Sequence, residues 1–344
     1  MGCQVTVASE QPLAGFASTH NQGWLQSGAL YAGTNQPAVA RECRLAADIV
    51  ASLDPSSVDQ ERRCFYLFPD KVDGARFAEL AAQAGIRCRD PRPVSSIPEI
   101  SVATQGSPYQ CAVEAFDRPF NTRRVLTVVR NELVSLGCSF VHVTSPVGCL
   151  GRHAGVWTLV GQTGGYDVVI VAAGAGSPDV LTALGYSVPW GPMWIAVVKV
   201  VGLPLESMLL CPQTNMPNVV PFASGLGPGF TVAISKDDRW GFPSQGDVDR
   251  AAQRNFGQLL KVLPNIGALS TNPAVVGYYH CTKLAPTSHS TARQSVALEV
   301  DRSERLWMFY PGKFTTAPLA ARQCARLVVG DPPNAIPVSR QPYP

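Results

Sequence analysis

Three side chains within one stretch of this chain could move a proton or hold an anion: His280, Lys283 and His289. An imidazole exchanges a proton near neutral pH, and an ammonium group pairs with a carboxylate. A histidine standing alone suits a surface or a satisfied core position as well as a catalytic one. Two other stretches are composed to hold a ligand rather than react with it. Residues 18–23, SerThrHisAsnGlnGly, gather hydroxyl, imidazole and amide groups beside a glycine. That composition fits a loop wrapped around a polar ligand, and equally a polar surface loop. Residues 311–316, ProGlyLysPheThrThr, stand directly before a helix predicted over 317–329. Backbone donors at such a junction form an electropositive pocket, or simply a capped helix start. No GxSxG elbow and no obvious pair of carboxylates is present, so hydrolase chemistry is not indicated.

A ligand gripped in this way needs a sheet beneath it. Tyr166–Gly176 reads YDVVIVAAGAG, and its run from Val168 to Ala172 is apolar without alternation. This predicts a parallel strand buried on both faces, around which the rest of the chain is organised. Ala173, Gly174, Ala175 and Gly176 follow; they are small enough for a ligand to approach the main chain, though a core strand with an ordinary glycine turn has the same pattern. Ligands of open α/β sheets bind at that carboxyl end. A second strand is expected over 3–8, closing at Glu10, whose carboxylate can accept both hydroxyls of a nucleotide ribose. A glycine-rich phosphate loop normally precedes such an acid by about 20 residues. Only nine residues precede Glu10, so that loop and its strand are expected to be missing from this chain.

The other elements follow from periodicity and punctuation. Val39, Cys43, Ala46, Ala47 and Val50 line one face of a helix over 36–53. A strand is expected at 64–68, a helix at 73–84 stopped by Gly85, and an irregular connection through the four prolines of 91–108. Asn121 is placed to cap a helix closed by Gly137. A strand at 139–144, a hairpin through 157–160 and a short helix at 178–184 come next. Beyond 187, strand-like runs at 194–201, 207–210, 230–234, 275–279 and 296–300 are separated by Pro, Gly and Asn, which predicts an antiparallel sheet. One helix, over 247–262, interrupts them.

Composition narrows the function. A chain of 344 residues, 46% hydrophobic and 15% charged, can fill one large core or two modest ones. The net charge of +3 comes from scattered Lys and Arg, without the basic runs that track a nucleic-acid backbone. The ten cysteines are dispersed, with no CxxC pair and no zinc-like histidine spacing, which points to a reducing, cytoplasmic setting and no metal. No apolar run approaches the roughly 20 residues that span a bilayer.

Taken in order, Val5–Glu10, Ser18–Tyr31, the helix from Asn121, Asp167–Gly174 and Gly312–Thr316 resemble the FAD-dependent oxidoreductases of the D-amino-acid oxidase and glycerol-3-phosphate dehydrogenase superfamily, most of all its L-2-hydroxyglutarate dehydrogenases. The resemblance implies an α/β fold: a Rossmann-like FAD-binding domain, here without its first strand and GxGxxG loop, and an antiparallel-sheet substrate domain. The FAD domain would comprise 1–60, 118–186 and 302–332, the substrate domain 61–117 and 187–301, and 333–344 a tail. By the same likeness Glu10 holds the adenosine ribose. Ser18, Thr19, His20, Asn21 and Gly23 run along the pyrophosphate and flavin, and His20 is a cofactor contact rather than an acid or base. Val147 meets the adenine, and Ala173 and Gly174 line the nucleotide. Gly312, Lys313, Phe314 and Thr315 face the pyrimidine end of the flavin, where reduction builds negative charge.

The implied reaction passes a hydride from a small hydroxy acid or amino acid to FAD, with a separate electron acceptor. His280, Lys283 and His289 fall in the stretch whose counterparts lie near the substrate. Two departures bear on this expectation. Gln26 stands where related dehydrogenases often carry histidine before the small residue and glycine matching Ser27 and Gly28, and an amide is no base near neutral pH. The missing glycine loop removes the main pyrophosphate site and leaves an unfilled slot in the parallel sheet. The competing expectation is a non-catalytic relative serving as a binding or scaffolding module, or a subunit completed by another chain.

Overall fold

A computed structural model describes residues 3–10, 22–202, 205–212, 217–224, 227–234, 239–269, 274–286 and 296–329. The chain begins with β1 (Thr6–Ser9), β2 (Trp24–Leu25), α1 (Ala29–Gly33) and α2 (Pro37–Leu53). It continues through β3 (Cys64–Phe68), α3 (Lys71–Gln83), β4 (Arg92–Pro93), α4 (Pro98–Thr104), β5 (Cys111–Ala115) and β6 (Arg118–Pro119). Helix α5 (Thr122–Ser135) leads to β7 (Ser139–His142), the hairpin β8 (Leu150–His153) and β9 (Val156–Leu159), β10 (Val169–Val171) and α6 (Ser177–Ala183). Five strands follow: β11 (Trp190–Val201), β12 (Met208–Leu210), β13 (Pro217–Ser224), β14 (Gly227–Ile234) and β15 (Arg239–Trp240). The last elements are α7 (Gln245–Val262), β16 (Ala274–Pro286), β17 (Val296–Asp301), β18 (Leu306–Tyr310) and α8 (Ala317–Val329).

Local chemistry explains the helix starts. The Asn121 side chain accepts the Arg124 N–H at 3.2 Å, and Ser244 with Asp247 forms a reciprocal capping box on α7. The proline-rich connection is not irregular throughout. Pro98 opens α4, since proline has no N–H to lose in a first helical turn and its φ is preset.

Among the described residues, two small sheets outside the largest one each hold one parallel pair. β1 pairs with β7 in one, and β10 with β18 in the other, where β17 adds antiparallel to β18. β10 is therefore an edge strand of three residues, not the central strand expected. Nor is it buried on both faces. Val169 and Val171 pack on Trp157, Leu181, Leu306 and Met308, while Ile170 between them is 44% exposed. An apolar run records what a strand can bury; whether its second face is covered is decided by neighbours distant in sequence.

Among the described residues the largest sheet has nine strands in the order β15-β11-β14-β13-β12-β3-β5-β4, with β16 paired to β11. All its pairings are antiparallel except β12 with β3. Alternate residues point to opposite faces, and the two faces carry separate cores. Phe65, Leu67, Trp194, Ala196, Val198 and Phe230 meet Val248, Ala252 and Leu259 of α7. Tyr66, Phe68, Met208, Leu210 and Val220 meet Ala29, Tyr31, Val39 and Cys43 of α1 and α2. No described helix is long and apolar enough to cross a membrane.

Candidate functional site

Parallel pairing puts the carboxyl ends of β1 and β7 side by side, and the exposed Glu10 follows one of them. Val147, 46% exposed, lies in the loop after the other. The carboxyl ends of β10 and β18 are likewise adjacent, with Ala173 and Gly174 beyond the first and Gly312–Thr315 beyond the second. A Cβ at Gly174 or Gly176 would meet no atom within 4 Å, so this turn borders open space. The turn also touches β11 and β16 of the large sheet.

The segment from Gly23 to Tyr31 crosses towards 312–316. The Phe120 N–H donates to the Gly23 carbonyl at 2.7 Å, and β2 pairs with β6. The Gln26 N–H donates to Thr315 Oγ1 at 3.2 Å. The Cys43 thiol approaches Gln26 Oε1 at 3.9 Å. Lys313 Nζ sits 4.3 Å from the ring centroid of Tyr31, itself buried at 3% exposure, in cation–π geometry. Phe314 packs on Phe120 with ring centroids 5.3 Å apart. Burial pushes the Cys43 thiol up to about 12 against the opposing charge of Lys313. Burial also raises the Glu42 carboxyl, again opposed by Lys313. Thr315 and Thr316 are buried, and the Thr316 hydroxyl donates to the Pro311 carbonyl at 2.6 Å. The stretch 311–316 is thus folded on itself ahead of α8.

His280 and Lys283 do not share a site. β16 runs without a register shift from His280, opposite Ala196, to Lys283, opposite Met193. Residues three apart on a strand project to opposite faces. His280 lies edge-on to Trp194 at 6.5 Å between ring centroids, on the face that α7 covers. Lys283 points the other way, to the face that carries Lys199, Thr231 and Val220, three cross-strand partners. There the Thr231 hydroxyl donates to the Gln22 carbonyl at 3.2 Å, which sets this face against the Gly23–Tyr31 segment. The Leu284 N–H donates to the Tyr310 hydroxyl at 3.0 Å, tying the same end of β16 to the approach of 312–316. Ser18, Thr19, His20, Asn21 and His289 lie outside the described residues.

Sequence reasoning missed Asp117, whose carboxylate is fully buried and accepts hydrogen bonds from Trp24, Ser27 and Tyr66. Its partners are 51 to 93 positions away, and no local pattern announces them.

The family described as DAO, FAD dependent oxidoreductase, matches residues 1–327. No curated protein matches. Among solved structures, glycine oxidase from Geobacillus kaustophilus is 15% identical with a TM-score of 0.72, over 97% of this chain and 90% of that one. Iminodiacetate oxidase from Chelativorans sp. BNC1 is 15% identical at TM-score 0.72, over 97% and 91%. L-proline dehydrogenase from P. horikoshii is 12% identical at TM-score 0.73, over 95% and 87%. At these identities the likeness is one of fold.

The described residues fit a flavin dinucleotide. An acid follows β1 beside the end of β7, and beyond the ends of β10 and β18 lie open space at Gly174 and Gly176 and the start of α8. An acceptor for ribose hydroxyls, an open glycine turn and a helix start are what an adenosine, a phosphate chain and an electron-accepting ring call for.

Proposed function

This chain belongs to the FAD dependent oxidoreductase family, and from that premise we propose that it oxidises a small amino acid at the carbon bearing the amine. FAD, when bound, supplies the hydride acceptor. Glu10 would hold the ribose, Ala173 and Gly174 would line the nucleotide, and Gly312–Thr315 would face the ring's pyrimidine end, where the start of α8 and the Lys313 ammonium favour developing negative charge.

Lys283 pairs with the substrate carboxylate from the sheet face that meets the Gly23–Tyr31 segment. Gln26 orients the substrate through its amide and takes no proton. That last point separates the two substrate classes. An alcohol must surrender its hydroxyl proton as hydride leaves, which needs a base. An uncharged amine forms its C=N bond with the nitrogen lone pair and needs none at that step. Among the described residues, β11, β14 and β16 present no histidine on the Lys283 face. The observation that carries the reading is the hydrogen bond from Gln26 to Thr315, because it joins the substrate-orienting residue to the flavin-facing segment.

The test is anaerobic. Protein reconstituted with FAD is mixed with glycine, L-proline, iminodiacetate and L-2-hydroxyglutarate, and bleaching of the visible flavin band is followed. Bleaching by an amine but not by the hydroxy acid is expected. The reverse result would return the assignment to the L-2-hydroxyglutarate dehydrogenases that the sequence also resembles.

The separation of the β1–β7 pair from the β10–β18 pair among the described residues favours a second reading, in which the fold is a binding module or is completed by a strand from another chain. Protein that stays colourless with excess FAD, and gains colour only with a partner, would support it.

A further inference from the structure

Asp117 stands between β5 and β6 with no solvent exposure, and four donors converge on it. Oδ1 accepts the Trp24 indole N–H at 2.8 Å and the Ser27 backbone N–H at 2.9 Å. Oδ2 accepts the Ser27 hydroxyl at 2.9 Å and the Tyr66 hydroxyl at 3.2 Å. Three of the four donors belong to residues that flank Gln26 on either side, and the fourth roots the carboxylate in β3. Burying a carboxylate is costly unless its oxygens are satisfied, and hydrogen bonds to an ionised acceptor are roughly twice as strong as neutral ones. The short segment between β2 and α1 is thus held by one buried carboxyl group rather than by a ladder of backbone pairs. What it presents on its far side is the Gln26 N–H on Thr315 Oγ1.

We propose that Asp117 is a positioning residue: acting through Trp24 and Ser27, it fixes the backbone of Gln26 against Thr315 and so sets the seam between the 24–28 segment and the start of α8. The proposal rests on the flavin reading of that seam, although its structural core does not. Asp117 acts through other residues and takes no part in the reaction itself.

The experiment compares the full-length protein with Asp117→Asn, Ser27→Ala and the control Asn255→Ala. The control removes the 3.1 Å bond from Asn255 Nδ2 to the Ala196 carbonyl, on the side of the sheet covered by α7. Two readouts are taken: amide hydrogen exchange of fragments covering 24–28 and 312–316, and the dissociation constant for FAD with the shape of its visible band. In Asp117→Asn, exchange in both fragments is expected to rise about tenfold and FAD affinity to fall about tenfold, as for loss of one buried hydrogen bond. Ser27→Ala keeps the backbone bond, so it moves both readouts less and in the same direction. Asn255→Ala leaves both unchanged at a comparable loss of melting temperature. The proposal is overturned if Asp117→Asn loosens 24–28 alone, with 312–316 and FAD affinity as in the wild type, or if neither fragment responds. Should the wild type bind no FAD, the flavin reading fails separately and the exchange of 312–316 still decides the coupling. Should Asp117→Asn not fold, Ser27→Ala carries the same readouts.

Discussion

The backbone N–H of Gln26 meets Thr315 Oγ1 at 3.2 Å across 289 positions of sequence. Thr315 is 2% exposed, so water cannot replace its hydroxyl freely. Thr315→Val removes the acceptor and keeps the volume, leaving a part-buried N–H unpaired at a cost of about 1–3 kcal/mol. FAD affinity, followed by quenching of flavin fluorescence on titration, is expected to fall by about tenfold, equivalent to about 1.4 kcal/mol. Thr315→Ser is expected to restore it. Equal affinity for all three proteins would remove this contact from the account of the site.

The opposite projection of His280 and Lys283 predicts opposite phenotypes. Lys283→Met removes the cation assigned to the substrate carboxylate, a contact made in ground and transition state alike. KM is therefore expected to rise by about ten- to a hundredfold with little change in kcat. His280→Gln should leave both parameters within about twofold of wild type, because its ring lies against Trp194 beneath α7. Steady-state kinetics on the best amine substrate decides the matter. Loss of kcat in His280→Gln would reinstate the imidazole.

These two residues also show where the sequence was legible. Once a strand is known to run from Ala274 to Pro286, a spacing of three dictates opposite faces; the sequence pattern supported a strand only to Tyr279, and the parity was hidden. The Asn121 cap, the α2 face and the extent of α8 were readable because each is a signal of a few adjacent residues. The exposure of Ile170 and the burial of Asp117 were not. Both depend on which distant element arrives beside them: for Ile170, the covering of a second sheet face; for Asp117, the arrival of Trp24 and Ser27. The helix opened by Pro98 was masked by the prolines around it, which signal turns unless a first helical turn follows.

Asp117 makes stability depend on pH in a definite direction. Burial raises its carboxyl, and the hydrogen bonds from Ser27, Trp24 and Tyr66 oppose that rise. A group with a raised folded-state pKa contributes stability fully below its unfolded value and loses it as pH rises through the folded value. The unfolded value is about 3.9. From there upward the wild type is expected to lose this contribution, and Asp117→Asn has none to lose. The stability of Asp117→Asn minus that of the wild type should therefore climb with pH through the raised value, in urea unfolding at matched pH. A difference that is flat or falls with pH would contradict the sign.

Glu114 gives the reverse slope. Burial alone would raise its carboxyl, but hydrogen bonding and charge from Arg63, with Arg89 and Arg92 adding charge, hold it below the ordinary value. Arg89 Nε stands 3.3 Å from Oε2 and Arg92 Nη2 3.5 Å from it. The stability it contributes is present above the unfolded pKa of about 4.3 and is lost as pH falls through the folded value. Glu114→Gln is expected to cost about 1–3 kcal/mol at neutral pH, with the gap to wild type closing in acid. A gap that persists unchanged at pH values below the folded pKa would show that the carboxylate's charge is not what holds the three arginines.

Gly28 and Gly137 separate backbone strain from steric collision. Both have positive φ, 99° and 81°, and alanine in the left-handed region costs about 1–2 kcal/mol at either. Only Gly28 is also crowded: a Cβ there would lie 2.3 Å from the Ala40 carbonyl oxygen, whereas at Gly137 nothing lies within 4 Å. The crowding atom is backbone of α2, so no side chain can turn aside. Gly28→Ala should therefore cost about 3 kcal/mol or more in total, against about 1–2 kcal/mol for Gly137→Ala. Gly28 also accepts the N–H groups of Tyr31 and Ala32 at 3.1 and 3.0 Å, so moving it shifts α1 and, with it, the ring under Lys313. Gly28→Ala is expected to lose FAD along with stability, while Gly137→Ala keeps FAD at a modestly lower urea midpoint. Equal losses of stability in the two variants would mean that α2 yields to the added methyl and that the close approach of Gly28 to Ala40 is not what fixes α1.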